Sequence, residues 1–237
     1  MIPQPIVSQE FNRYANDYDH MLDHGLAISG EGKEYFAQRR IDWLKNSLAH
    51  MGFSPRHIMD YGCGTGMTAA LLHEQFHDSA IVAVDPSAKL IDRAKAKHGS
   101  AQVQFELCQE YRPQEAVDLV YCNGVFHHIP IVHRALAAQY VWRSLRPGGL
   151  FAFWENNPWN PGTQYVMSRI PFDRDAITLT ASEAQALLKT SGFHIVSTDF
   201  LFIFPHCLSL FRCVEPYVSS VPFGAQYLVL GRKESRG

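Results

Sequence analysis

The chain has no excess of charge of either sign. Across 237 residues, 21 Lys and Arg stand against 23 Asp and Glu, a formal net charge of −2. That balance gives no pull toward a nucleic-acid backbone, and the adjacent basic pairs Arg39–Arg40 and Arg232–Lys233 are too small to make a patch. Cysteine is sparse and scattered: Cys63, Cys108, Cys122, Cys207 and Cys213 form no C-x-x-C. This argues against a thiolate zinc centre and a disulfide framework, and it points to a reducing, cytoplasmic setting. Long apolar runs are missing too. The most apolar stretch, residues 200–211, is too short to cross a bilayer and holds Pro205 and His206. The opening MIPQPIVSQEFN has neither the basic nor the apolar region of a signal peptide. No internal repeat or low-complexity tract is present, so the expectation is a soluble protein without a membrane partner.

What is present is a hydrophobic content of 46%, enough for one large α/β core. Ser8 is placed to cap a helix through Phe11, Tyr14, Ala15 and Tyr18, and residues 34–50 read as a second helix stopped by Gly52 and Pro55. From there short apolar strands (57–61, 80–84, 103–107, 117–122 and 150–154) alternate with helices (67–76, one capped by Ser87, and 131–145). This alternation is the pattern of a doubly wound parallel sheet. The rhythm breaks over 155–180. Thr180 and Glu183 then form a capping box for a helix ending near Gly192. Residues 193–204 and 226–230 read as the last strands, with 202–224 as a second insertion. One domain with an N-terminal helical part (1–52) and two insertions is expected, rather than two domains.

Asp60-Tyr-Gly62-Cys63-Gly64-Thr65-Gly66 sits between a strand and a helix, where open α/β sheets bind nucleotide-like ligands. Taken alone, such a glycine turn is as readily structural. Two features narrow it. The spacing is G-x-G-x-G, not the dinucleotide G-x-G-x-x-G, and an acid precedes the loop. A carboxylate there suits a ligand carrying ammonium and sulfonium cations and repels a pyrophosphate. Asp85 ends the next strand, where a carboxylate is placed to accept from ribose hydroxyls.

In these residues the sequence resembles the class I S-adenosylmethionine-dependent methyltransferases of the small-molecule type. DYGCGTG is similar to their first motif, and Val82-Ala-Val-Asp85-Pro86-Ser to their second. Leu107-Cys108-Gln109 stands where they hold the adenine edge, with Gln109 in place of the usual Asp. The stretch 118–128, with Asn123, Gly124, Val125, His127 and His128, resembles the fourth motif beside the methionine moiety. Arg146-Pro-Gly-Gly149 resembles the turn before the fifth strand. The resemblance implies a Rossmann-like α/β fold: seven mostly parallel strands, the last antiparallel, with helices on both faces. It also implies helices of 1–52 capping the cofactor. Tyr14 and Tyr18 match a Y-A-x-x-Y-D pattern there, although packing of an amphipathic helix explains them equally well. The cofactor residues it implies are Tyr14, Tyr18, Asp60, Gly62, Cys63, Gly64, Thr65, Gly66, Asp85, Pro86, Gln109, Asn123, Gly124 and Val125.

Methyl transfer from a sulfonium asks the protein mainly to align nucleophile and methyl, and a base is needed only for a protonated acceptor. His127, His128 and Glu155, at strand ends, are the catalytic candidates. For either histidine the alternative is backbone hydrogen bonding, and for Glu155 it is a loop cap. Glu155, Asn156, Trp159 and His206 are the acceptor-side candidates, His206 with a structural alternative. No histidine–carboxylate set has metal-ligand spacing along the chain, so no metal is expected. The stretch WENNPWNPG contains an Asn-Pro-aromatic run similar to the amine-binding signature of amino-methyltransferases, but it falls one strand too late for that role. Its prolines push Asn157 and Asn160 out of helical geometry, so the chain leaves the sheet there to begin a lid. Aromatics in both insertions would line an apolar pocket for a small molecule, or else pack the insertions or form a dimer contact. The rival readings are an NAD-type oxidoreductase, a nucleic-acid methyltransferase and a noncatalytic cofactor-binding relative. Acceptor identity, the atom methylated, and monomer against homodimer are left open.

Overall fold

The structure, a computed structural model, describes residues 11–15 and 17–234. The proposed Ser8 cap lies outside them; residues 11–14 are helical, but the chain turns at Ala15 and Asp17 instead of running on to Tyr18 as one helix. Two N-terminal helices follow, α1 (Tyr18–Leu26) and α2 (Lys33–His50). Then come β1 (His57–Tyr61), α3 (Met67–Gln75), β2 (Ala80–Asp85), α4 (Ala88–His98), β3 (Val103–Leu107) and β4 (Val117–Asn123). α5 (Ile131–Ser144), β5 (Leu145–Asn156), α6 (Pro161–Arg169), α7 (Ala181–Thr190) and β6 (Phe193–Leu201) continue the chain. A 3-10 stretch (His206–Val214), the short α8 (Glu215–Val218) and β7 (Gln226–Lys233) complete it.

The seven strands form one sheet in the order β3-β2-β1-β4-β5-β7-β6. β1 to β5 pair in parallel, and β7 runs antiparallel between β5 and β6. The strand order reverses beside β1, so the crevice at the carboxyl ends of β1 and β4 is where an open α/β sheet takes a ligand.

Strand periodicity sorts the core into two layers. Val120, Cys122, Phe151 and Phe153 face one side of the sheet with α5 and α7, whereas Leu119, Tyr121, Ala152 and Trp154 face the other with α2, α3 and α4. Trp154 is fully buried, and truncating it to Ala costs about 3–5 kcal/mol. The buried Lys233 Nζ donates to Glu115 and to the carbonyls of Trp142 and Leu145, tying the end of β7 to the α5–β5 junction.

Two expectations are corrected, while α2 both buries its stripe Ala37, Ile41, Leu44 and Leu48 against the sheet and turns Lys33, Tyr35, Phe36 and Arg40 toward the crevice. β6 stops at Leu201 rather than 204, because Phe202 takes a positive φ of 62° that turns the chain out of the sheet. The Arg146-Pro-Gly-Gly turn lies inside the extended β5, which already pairs with Val117 at Leu145 before the register shifts. Thr180 and Glu183 do form a capping box, with Thr180 Oγ1 accepting from Glu183 N at 3.2 Å.

Candidate active site

The glycine loop leaves β1 directly into the crevice. Gly62 has φ +78°, a conformation open to glycine, and a Cβ there would lie 2.3 Å from Val125 Cγ2. The loop turns its N–H groups inward. Gly62 N and Cys63 N donate to Val84 O (2.7 and 3.1 Å), and Gly64 N donates to Asp85 Oδ2 (3.0 Å). Three successive donors are thereby withheld from any phosphate, contrary to the outward N–H groups expected of a nucleotide loop.

Asp60, at the end of β1, is 2% exposed, and its Oδ2 has no hydrogen-bond partner. Burial, reinforced by the charge of Asp85 and opposed by Arg40, pushes its pKa up to about 8. Asp85 is raised to about 6 by burial, against the N–H groups of Ser87 and Gly64.

A cavity of about 510 Å³ opens on this loop. Of the sequence-predicted cofactor residues, Tyr18, Asp60, Gly62, Cys63, Gly64, Thr65, Asn123 and Gly124 line it. Tyr14, Gly66, Asp85, Pro86, Gln109 and Val125 do not. Asp85 is turned onto Gly64 N and Ser87 N, and Gly66 is packed under Phe105 and Ala94. Val125 covers Gly62, and Gln109 is exposed on the turn after β3. The segment 11–15 lies on the start of α4 on that side. Asn12 Oδ1 accepts from Ser87 Oγ at 2.7 Å, and Arg93 donates to Ala15 O at 2.5 Å. Tyr14 instead meets Phe172, their ring centroids 5.9 Å apart.

Among the catalytic candidates, His127 and His128 reach the cavity and Glu155 does not. Glu155 is 1% exposed and accepts from Phe126 N (2.7 Å) and His127 N (3.3 Å), while its Oε2 lies 2.6 Å from His127 Nδ1. It holds the histidine turn in place from behind, so its assignment to acceptor contact is corrected. Burial by itself would raise the Glu155 carboxyl, but His127 and the Phe126 N–H hold it low. Burial would likewise neutralise His127, but Glu155 and Asp173 hold that ring charged. His128 is pushed down by burial and by the charge of His127.

Asn156 lines the cavity, its Oδ1 accepting from Gln226 Nε2 at 2.9 Å. Trp159 and His206 do not line it. Trp159 is 63% exposed on the turn before α6, and His206 sits at the rim with Nδ1 2.9 Å from Glu31. Both insertions do wall the cavity, through Met167, Ile170 and Phe172 of the first and Phe202, Phe204 and Arg212 of the second. Exposed Phe211, Tyr217 and Phe223 take no part.

Two functional groups escaped the sequence reading. Asp173, in the first insertion, lies 3.2 Å from His128 Nε2 and 3.5 Å from His127 Nε2, and its pKa is held down at about 2 by both imidazoles against the effect of burial. It falls in no periodic element, so nothing in the pattern marked it. Arg40 donates to Tyr121 Oη (3.1 Å) and Gln226 Oε1 (2.8 Å), extending a polar rail along the wall to Asn156. Its signal was legible: a charge on the buried stripe of α2, between Ala37 and Leu44.

Residues 59–151 match the family model of a methyltransferase domain. The chain is 28% identical over 145 residues to a trans-aconitate 2-methyltransferase of Acidovorax sp. (strain JS42), covering 60% of this chain and 55% of that protein. It is 28% identical over 156 residues to a malonyl-[acyl-carrier protein] O-methyltransferase of Priestia megaterium, covering 65% and 52%. The matched segment thus spans about half the length of these curated relatives. In fold it is similar to a putative sarcosine dimethylglycine methyltransferase from Galdieria sulphuraria, with TM-score 0.60 and 16% identity over 83% of this chain and 86% of that one. It is also similar to an S-adenosylmethionine-dependent methyltransferase from Mesorhizobium loti, with TM-score 0.56 and 22% identity over 76% and 91%. The core from β1 into β5 thus matches a methyltransferase-domain model, and the seventh strand running antiparallel between the fifth and sixth completes the fold that the chain shares with these methyltransferase structures.

Proposed function

We propose that the protein transfers a methyl group from S-adenosylmethionine to a small, largely apolar acceptor held in the 510 Å³ cavity. The observation that carries this is Asp60: a buried carboxylate with an unpartnered oxygen, facing the cavity beside a loop whose N–H groups point away from it. Such a site fits an ammonium and disfavours a pyrophosphate, which speaks for the methionine end of this cofactor and against NAD. Asp60, Gly64, Thr65, Tyr18 and Asn123 would hold that end. Asp85 keeps unused lone pairs for ribose hydroxyls, since each of its oxygens accepts one N–H from the chain. The cofactor supplies an activated methyl on a sulfonium, and the chain's part is alignment and exclusion of water.

The wall chemistry supports an apolar acceptor rather than a polyanion. Every Lys or Arg lining the cavity is engaged within the protein: Lys33 with Asp19 and Asp23, Arg40 with Tyr121 and Gln226, and Arg212 with Glu31. Leu22, Leu26, Phe36, Met167, Ile170 and Phe202 supply the apolar surface. The tricarboxylate named for the trans-aconitate relatives would find no unpaired cation there among the described residues. Glu155, which does not line the cavity, takes no proton from an acceptor. The test is calorimetric titration with S-adenosylhomocysteine and with NAD, followed by a labelled-methyl screen over phenolic, lipid-like and carboxylate acceptors. Binding of NAD alone overturns the reading. Methylation confined to polycarboxylates overturns the acceptor class.

A further inference from the structure

His127, His128 and Asp173 come together at the cavity wall, and their ligand atoms all lie within 4.8 Å of one another. We infer that they form a binding site for a divalent transition-metal cation of the zinc type, with His127 Nε2, His128 Nε2 and Asp173 Oδ1 as protein ligands and the remaining position open to the cavity.

Four observations converge on this. First, the carboxylate lies at ligand spacing from both imidazoles. Tetrahedral zinc at about 2.0–2.1 Å from nitrogen or oxygen separates its ligands by about 3.3 Å. Asp173 Oδ1 lies 3.2 Å from His128 Nε2 and 3.5 Å from His127 Nε2. Second, His127 Nε2 is buried without a hydrogen-bond partner, with Asp173 Oδ1 3.5 Å away, and the side chain lines the cavity. An orphaned imidazole nitrogen in a fully buried ring calls for a partner. Third, the other nitrogen of that ring is fixed by a carboxylate, with Glu155 Oε2 2.6 Å from Nδ1. That contact makes Nδ1–H the donor, so the proton a cation would displace from the charged ring is the one on Nε2, and the carboxylate behind Nδ1 orients the ring as it does in metal-ligating histidines. Fourth, two imidazoles and one carboxylate are a borderline donor set suited to zinc, cobalt or nickel rather than to calcium or magnesium.

No stretch of sequence carries this site. The histidines follow β4, and Asp173 arrives from the first insertion; backbone bonding brings the two together, with Ile177 N donating to His127 O at 3.0 Å. A cation here would polarise an oxygen or nitrogen of whatever enters the cavity. The assignment does not rest on the methyl donor.

The test is titration of the chelator-stripped protein with Zn²⁺ by calorimetry and with Co²⁺ by visible spectroscopy. One equivalent is expected to bind, with Co²⁺ showing the intense ligand-field bands of a low-symmetry site. His128→Ala and Asp173→Asn should each weaken binding at least about tenfold, and Glu155→Gln should weaken it about 10–100-fold. His133→Ala, a half-buried histidine on α5 outside the cluster, is the control and should leave it unchanged. Far-UV circular dichroism and S-adenosylhomocysteine affinity of each variant report folding and cofactor binding separately, so failure here is distinguishable from failure of the methyl-transfer reading. No binding below millimolar Zn²⁺, or binding that His128→Ala and Asp173→Asn leave intact, overturns the site.

Discussion

Glu155 Oε2 sits 2.6 Å from His127 Nδ1, and both side chains are almost wholly buried. The contact joins the end of β5 to the turn after β4, and the same carboxylate also grips the N–H groups of Phe126 and His127. It therefore sets the rotamer of one cavity-facing imidazole and the backbone that carries the next.

Glu155→Gln keeps the shape but weakens this grip. Turnover should fall about 10–100-fold, with S-adenosylhomocysteine affinity unchanged, because Glu155 does not line the cavity. Steady-state kinetics beside calorimetry checks it, and unchanged turnover would remove the positioning role.

Asp60→Asn should act in opposite directions on binding and stability. Loss of a charged partner for an ammonium costs about 1.5–3 kcal/mol, roughly 10–150-fold in S-adenosylhomocysteine affinity. In the free protein the Asp60 pKa of about 8 lies above its unfolded value of about 3.9. The folded state thus keeps its proton longer, and Asp60 makes stability decline as pH rises from about 4 to about 8. Urea unfolding at pH 5 and pH 8 should show a shallower decline in the Asn variant; an identical slope would contradict the burial effect.

At Gly62 both sterics and backbone oppose a side chain. Gly62→Ala meets Val125 Cγ2 and places Ala at φ +78°, the latter alone costing about 1–2 kcal/mol. Denaturant midpoints should show that adding Val125→Ala recovers part of the loss but not the backbone share. Full recovery would show that the left-handed conformation carries no cost.

Asp118 accepts from Arg56 N and His57 N, each at 2.7 Å, and from Arg146 Nε. Burial would raise its carboxyl, but Arg146 and these N–H groups hold it below the usual carboxylate value. Its contribution is present above the unfolded pKa, about 4, and is lost as pH falls through the folded one. Asp118→Asn should cost about 2–3 kcal/mol at pH 7 and flatten the acid limb of the stability curve. An acid limb as steep as in the native chain would count against it.

The sheet was readable because strands buried on both faces form short apolar runs bounded by Gly, Pro and Asp, and β1 to β4 fall within a residue of their expected ends. Resemblance then supplied what periodicity does not, the antiparallel β7. The site was legible where it hugs the sheet, at Asp60, the glycine loop, Asn123, Asn156 and the two histidines, and at Tyr18, marked by the resemblance. Its other half comes from insertions whose contacts are set by tertiary packing. Asp173 comes from a segment held to the histidine turn by the Ile177 N to His127 O bond, α6 lay unseen behind Asn-Pro, and Glu155, at the right address, faces inward.

The two asparagines that precede proline have a mechanical consequence. Asn157 Nδ2 donates to the carbonyls of Pro222 and Gly224, Asn160 Nδ2 to that of Phe223, and Thr163 Oγ1 to that of Ala225. The first insertion is thereby stitched to the end of the second, so the two walls form a single shutter rather than opposed flaps. Any widening of the cavity on this side must swing them together about the sheet edge where β5, β6 and β7 end. A substrate that displaces one insertion necessarily pulls on the other.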